Sequence, residues 1–135
     1  MERIRWMICS FFALGLGALL YGIYRQDTYI GGIISSVISI SLPVNGFFSE
    51  VAAWYFPDCL WMFSMNCALF AVMLPKGKEV LLWCAVALFV GVLWETLQFF
   101  DFISGTADLW DILMYSMAAF SAAMIALFIK KESKK

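Results

Sequence analysis

Residues 80–100, with the sequence VLLWCAVALFVGVLWETLQFF, decide the fold of this chain. Only one side chain in this stretch is charged, that of Glu95. A helix needs about 20 predominantly apolar residues to cross the hydrocarbon core of a bilayer. Because backbone amides in lipid must be hydrogen-bonded within their own segment, we predict a transmembrane helix here and not a strand.

Three further apolar stretches of similar length accompany this one. They run from about 6 to 24, from 57 to 74 and from 109 to 129. The chain has 135 residues, of which 64% are hydrophobic and 14% are charged, and its mean hydropathy is +0.87. A soluble domain of this size could not bury so much apolar surface. We therefore predict one all-α membrane domain over residues 1–135, with four transmembrane helices.

The basic residues are segregated along the chain. Eight of the nine Lys and Arg lie at the N-terminus, between the second and third spans, or at the C-terminus, and only Arg25 lies elsewhere. Basic residues favour the cytoplasmic side of a membrane. With four spans, this pattern predicts a bacterial inner-membrane protein whose N-terminus and C-terminus are both cytoplasmic.

Residues 25–56 form the predicted external segment. Apolar side chains recur at helical spacing from Ile30 to Leu42, with serines on the remaining face. An amphipathic helix lying in the membrane interface fits this pattern, and a re-entrant turn is the alternative. Aromatic residues that we expect to anchor the protein near the lipid headgroups follow, namely Phe47, Phe48, Trp54, Tyr55 and Phe56.

Acidic and amide side chains cluster near the predicted outer ends of the spans. Glu95 and Gln98 are three residues apart on one helix face, and Asp108 and Asp111 repeat this spacing across a turn around Gly105. Asp58 follows Pro57 at the start of the second span. Asp108 and Asp58 also suit the starts of helices. A carboxylate inside a span is costly unless a partner bonds to it, so it is retained for a structural or a functional reason. Glu95 is therefore the leading candidate for a functional residue.

The residue types restrict the chemistry of this cluster. The chain has no histidine and its four cysteines form no C-x-x-C pair, which argues against zinc and against histidine-based catalysis. Carboxylates beside an amide suit a divalent cation held by Glu95, Asp108 and Asp111, proton transfer, or recognition of hydroxyl and amine groups. We predict no obligatory cofactor and, in the absence of a recognisable motif, no nucleic-acid partner.

The two motifs, E-x-x-Q at 95–98 and D-x-x-D at 108–111, resemble the signature of the VanZ-like family of small bacterial membrane proteins. The stretch that begins at Pro57 is similar to the start of an earlier helix in some members. The family takes its name from a factor associated with resistance to the glycopeptide teicoplanin, so the resemblance implies a cell-envelope setting. Members commonly carry an arginine between the two motifs, whereas residues 99–107 contain no basic residue here.

Three hypotheses follow for the cluster of Glu95, Gln98, Asp108, Asp111 and Asp58. In the first hypothesis the cluster binds a lipid-linked or surface ligand, or a membrane protein partner. Membrane lipids are expected to surround the protein in any case. Alternatively, the cluster serves a membrane-embedded transferase or hydrolase that acts on envelope lipids with carboxylate-bound Mg²⁺. In the third hypothesis it only fastens the last two spans together.

Overall fold

A computed structural model describes residues 2–26, 29–37, 40, 42–103 and 106–132. Within these residues the chain contains no strand and forms six helices: α1 (Glu2–Tyr24), α2 (Tyr29–Ser35), α3 (Phe47–Trp54), α4 (Phe56–Met73), α5 (Lys78–Phe99) and α6 (Leu109–Glu132). The helices α1, α4 and α5, together with α6 as far as Ile129, are long and apolar enough to cross a membrane. The predicted all-α class with four spans is confirmed, and the chain is a multi-pass membrane protein.

The connection between α4 and α5 shows why these helices end where they do. Leu74 adopts a left-handed conformation with φ 47°, and Pro75, which cannot continue a helix, follows it. Gly77, at φ 53°, then immediately precedes α5. Only four residues separate the two helices, so they run antiparallel with a tight turn between them.

Helix α4 is the central element of the bundle. It packs against α1, α5 and α6, whereas in the described part of the chain the α1 backbone does not come close to that of α5 or α6. About 39% of the spanning window of α4 is buried, against 22% for α1. Because α4 faces protein on several sides, it tolerates more polar residues than the other three spans and is the least hydrophobic of them.

Small residues permit close packing between the long helices. The Cβ of Leu60 lies 3.5 Å from the position that a Cβ on Gly17 would occupy, which brings α1 and α4 together. On α6 a row of alanines is buried against Phe70, Val80 and Cys84, namely Ala119, Ala122, Ala123 and Ala126. Such small-residue faces are typical of helix packing in membranes.

Two features of the external segment differ from the prediction. The helix expected from Ile30 to Leu42 ends at Ser35, while residues 38, 39 and 41 lie outside the described part of the chain. The hydroxyls of Ser35 and Ser36 donate to the carbonyls of Gly32 and Ile33, and such bonds compete with a continuing helix. A second short helix, α3, begins at Phe47, where we expected only membrane anchors.

A reciprocal serine pair joins α1 to α4 near the middle of both helices. The Ser10 hydroxyl donates to the Ser64 carbonyl at 3.0 Å, and the Ser64 hydroxyl donates to the Ser10 carbonyl at 2.9 Å. The two hydroxyl oxygens are themselves 3.0 Å apart. Interhelical hydrogen bonds of this kind stabilise a membrane protein modestly.

We predict that Ser64→Ala lowers the free energy of unfolding by about 0.6–1.7 kcal/mol, because the α1–α4 contact loses a hydrogen bond. Thermal unfolding in detergent micelles measures the effect. Ser121→Ala is the matched control, since the exposed Ser121 hydroxyl bonds only within its own helix. Equal losses in both variants would contradict a stabilising role for the serine pair.

Candidate functional site

A polar cavity of about 480 Å³ opens at one end of the bundle, where α1 and α5 end and α4 and α6 begin. We refer to this end as the polar end. All five side chains of the predicted cluster line the cavity, so the structure brings together residues that are up to 53 positions apart. The lining comprises Tyr21, Arg25, Trp54, Tyr55, Asp58, Trp94, Glu95, Gln98, Thr106, Asp108, Asp111 and Tyr115.

Glu95 is buried, with 4% of its surface exposed, and both of its carboxylate oxygens are bonded to the α6 region. The Tyr115 hydroxyl donates to Oε1 at 2.9 Å, and the backbone N–H of Asp108 donates to Oε2 at 3.1 Å. A buried carboxylate is costly unless such donors satisfy it. These contacts tie α5 to α6, as the fastening hypothesis expects of Glu95.

Asp108 caps the N-terminus of α6, as one of its two interpretations predicted. Its Oδ1 accepts a hydrogen bond from the Trp110 N–H at 2.9 Å. In a capping box, the side chain three residues after the cap would accept the cap's own N–H. Here that residue is Asp111, but Glu95 from α5 takes the N–H instead. The cap therefore does not need the Asp111 carboxylate. The predicted turn residue Gly105 lies outside the described residues.

Asp58 and Asp111 occupy equivalent positions in the cavity. Each lies in the first turn of its helix, α4 and α6 respectively, where the positive end of the helix dipole favours a carboxylate. Neither carboxylate accepts a hydrogen bond from any residue that the structure describes, and α4 starts without a side-chain cap. The two acids therefore offer acceptor oxygens to the cavity.

Arg25 is a charged cavity residue that the sequence analysis did not identify as part of the site. Its Nη1 donates to the Tyr21 hydroxyl at 3.2 Å. The guanidinium also lies 4.9 Å from the ring centroid of Tyr21 and 5.0 Å from that of Trp54, distances typical of cation–π contacts. A basic residue thus reaches the cavity from the position that directly follows α1. Its isolation from all other basic residues was the available signal.

Aromatic side chains form much of the cavity wall. Trp54 and Tyr55, which we expected to be membrane anchors, both line it, and the Tyr55 ring lies 6.3 Å from that of Trp110. The sequence also did not identify Tyr115 as a site residue, although it lies four residues after Asp111 on the same helix face. The site is therefore as aromatic as it is acidic.

Gly91 allows Tyr115 to reach Glu95. A Cβ at Gly91 would lie 2.8 Å from Cδ2 of the Tyr115 ring and 2.7 Å from the Met62 methyl group. With no side chain at this position, the ring lies directly against α5 one turn before Glu95. The glycine therefore sets the spacing between α5 and α6 that the hydroxyl–carboxylate bond requires.

The arrangement of the carboxylates gives no support to the magnesium hypothesis. No group of three His, Cys, Asp or Glu side chains in the described part of the chain is placed to hold a metal ion. Glu95 has both oxygens engaged by N–H and O–H donors, and Asp108 has one engaged in the cap. An ion at Glu95, Asp108 and Asp111 would share three of its possible ligand oxygens with these donors.

An apolar groove of about 350 Å³ adjoins the polar cavity. It runs between α5 and α6 and is lined by Glu95, Thr96, Phe99, Ala107, Asp108, Leu109 and Ile112. Phe99 and Leu109 are 71% and 82% exposed, so the groove opens sideways from the bundle. Glu95 and Asp108 line both the polar cavity and this groove, and they form the boundary between them.

Comparison with protein-family models, with curated proteins and with solved structures gives no match. The two adjoining cavities and the side chains that line them are therefore the basis for a functional conclusion. Aromatic and apolar walls with a small number of polar groups are characteristic of small-molecule sites in general.

We predict that Glu95→Gln lowers the free energy of unfolding by about 1–3 kcal/mol. Glutamine has one acceptor oxygen, so if that oxygen accepts the Asp108 N–H, the amide N–H₂ must donate to the Tyr115 hydroxyl, whose own proton then loses its acceptor. Both remaining bonds are between neutral groups and are weaker than those to a carboxylate. Thermal unfolding in detergent measures the loss. The exposed Glu50 on α3 supplies the matched control, Glu50→Gln. If the two variants melt at the same temperature, Glu95 does not fasten α5 to α6.

Proposed function

We propose that this protein binds a lipid-linked, amphiphilic ligand, with the polar head in the polar cavity and the tail in the apolar groove. The observation that carries this proposal is that Glu95 and Asp108 line both spaces. A water-soluble ligand would use the polar cavity alone, and an ordinary apolar lipid tail would use the groove alone. Only a molecule with both parts would occupy both.

The polar cavity offers groups that recognise a head rich in hydroxyl or amine donors. Asp58 and Asp111 present acceptor oxygens that no described residue uses, and Gln98 adds an amide that can both donate and accept. Trp54, Tyr55 and Trp94 supply flat apolar surfaces beside these polar groups. A few polar groups among aromatic walls are characteristic of selective small-molecule sites.

The groove supplies the apolar part of the site. Its volume of about 350 Å³ and its lining by Phe99, Leu109 and Ile112 suit a hydrocarbon chain that approaches from the lipid. The groove is shallow and open to the side, so the tail would not need to pass through the bundle. This favours a membrane lipid or lipid-linked molecule over a protein segment as the ligand.

The proposed setting is the bacterial cell envelope. The resemblance of 95–98 and 108–111 to the VanZ-like signature supports it, and the distribution of basic residues supports cytoplasmic termini. In this orientation the polar end would lie at the outer leaflet. A transferase or hydrolase that uses Mg²⁺ is the alternative function, and no contact among the described residues favours it over binding.

We predict that alkaline phosphatase is active when fused after Asp101 and inactive when fused after Lys76 or at the C-terminus. The enzyme requires an extracytoplasmic position, and the excess of basic residues should keep the latter two sites in the cytoplasm. Phosphatase activity of each fusion in whole bacterial cells, normalised to its expression, provides the measurement. The opposite pattern would place the polar end in the cytoplasm and contradict the proposed orientation.

We predict that the purified protein retains a stoichiometric lipid from its membrane and that two kinds of variant lose it. Ala107→Trp should fill the groove, and Asp58→Asn with Asp111→Asn should weaken binding of the head roughly tenfold or more. Native mass spectrometry of the protein released from detergent micelles measures the retained lipid. Ala107 is exposed, so its replacement does not disturb the core.

Two variants serve as controls. Ala85→Trp introduces the same side chain at an exposed alanine within α5, away from the groove, and Glu50→Gln changes an exposed acid outside the cavity. Both should retain the lipid as the parent protein does. Equal lipid retention in Ala107→Trp, the Asp58/Asp111 double variant and both controls would contradict the proposed function.

A further inference from the structure

We propose that the head of the ligand carries an ammonium group, so that the site selects an amine-bearing lipid over anionic and neutral lipids. This inference rests on the proposed function, because it names the chemistry of the head that the polar cavity would receive. Its basis is the combined charge of the side chains that line the cavity, together with the positions of the aromatic rings.

The charges that line the cavity are unequal. Four carboxylates, those of Asp58, Glu95, Asp108 and Asp111, line the space together with a single guanidinium, that of Arg25. Glu95 and Asp108 are compensated in part by hydrogen bonds from the α6 region. Asp58 and Asp111 have no such donor among the described residues. A partly enclosed pair of acids is stabilised by a cation that lies between them.

Arg25 is directed at the aromatic side of the cavity. Its guanidinium lies over the rings of Tyr21 and Trp54, and its Nη1 donates to the Tyr21 hydroxyl. Neither Asp58 nor Asp111 accepts a hydrogen bond from it. The Arg25 charge acts on both acids through space, but one guanidinium does not balance two carboxylates, so a cation brought by the ligand could bond to them directly.

An ammonium group matches this environment better than other polar heads. It carries three N–H donors and a positive charge, so it can serve Asp58 and Asp111 together. Aromatic faces such as those of Tyr55 and Trp94 also attract cations. A neutral polyol would donate hydrogen bonds without compensating the charge, and an anionic head would be repelled by the acids.

The apolar groove indicates that the amine is attached to a lipid and is not a free amine. The groove begins at Glu95 and Asp108, which also line the cavity that would hold the ammonium group. A soluble amine would leave the groove empty, so its binding would gain no free energy from burial of the apolar groove walls. The proposed ligand thus has an ammonium group in its head and at least one hydrocarbon chain.

Four probes test the inference on the unmodified protein in detergent by native mass spectrometry. They are phosphatidylethanolamine, its N-acetylated derivative, phosphatidylglycerol, and soluble phosphoethanolamine. We expect phosphatidylethanolamine to bind at least roughly tenfold more tightly than each of the other three, because only it has both the ammonium group and the tail. Acetylation removes the positive charge of the ammonium group, while the phosphate and the tails are retained; phosphatidylglycerol, with the same net charge as the acetylated lipid, should therefore bind about as weakly.

Substitution of the two acids tests whether Asp58 and Asp111 bind the ammonium group. Asp58→Asn with Asp111→Asn should remove the preference for phosphatidylethanolamine over its N-acetylated derivative, whereas Glu50→Gln should keep the preference. The comparison of the two lipids within one variant does not depend on the stability of that variant. A preference that survives the double substitution would overturn the assignment of the ammonium group to these acids.

The possible failures are distinguishable. If all three lipids bind equally and Ala107→Trp displaces them all, the protein binds amphiphiles but the inference about the amine is wrong. If soluble phosphoethanolamine binds as tightly as the lipid, or if no lipid is displaced by Ala107→Trp, the proposed function itself is wrong. Tighter binding of phosphatidylglycerol would overturn the charge argument.

Discussion

The two hydrogen bonds that Glu95 accepts from Tyr115 and Asp108 are the interaction on which the polar end of the molecule depends. They satisfy a carboxylate that would otherwise be buried without donors, and they hold the start of α6 against the end of α5. They also complete the N-terminal cap of α6. Because Glu95 performs the task of a capping-box residue, Asp111 is left to face the cavity. One buried acid thus determines which other acid is accessible.

Much of the fold was predictable because the signal is local. Span length and apolar composition act within about 20 consecutive residues, so each stretch could be recognised without knowledge of its neighbours. The observed helices begin and end within about four residues of the predicted spans. The polar residues that line the cavity could be found for a related reason, since few polar residues lie near the ends of apolar spans. Glu95, Gln98, Asp58, Asp108 and Asp111 all line one cavity.

The remaining features depend on which helices pack together, and this is not a local property. Arg25 reaches the cavity because α1 packs antiparallel along α4, and Tyr115 reaches Glu95 because Gly91 leaves room for its ring. Residues 30–42 had the periodicity of a helix, but serine hydroxyls compete for backbone carbonyls at 35 and 36. The helix α3 was missed because an aromatic-rich stretch of eight residues has the composition of an interfacial anchor.

The central position of α4 has a consequence for the assembly of the protein in the membrane. Asp58, Ser64 and Asn66 make α4 the span least suited to enter lipid alone, and the last two are buried in the finished bundle. In the chain α1 precedes α4, so Ser10 is made before the Ser64 hydroxyl and carbonyl that it bonds. A polar span that packs on a helix made before it need not expose Ser64 and Asn66 to lipid, because the partner that covers them is synthesised earlier.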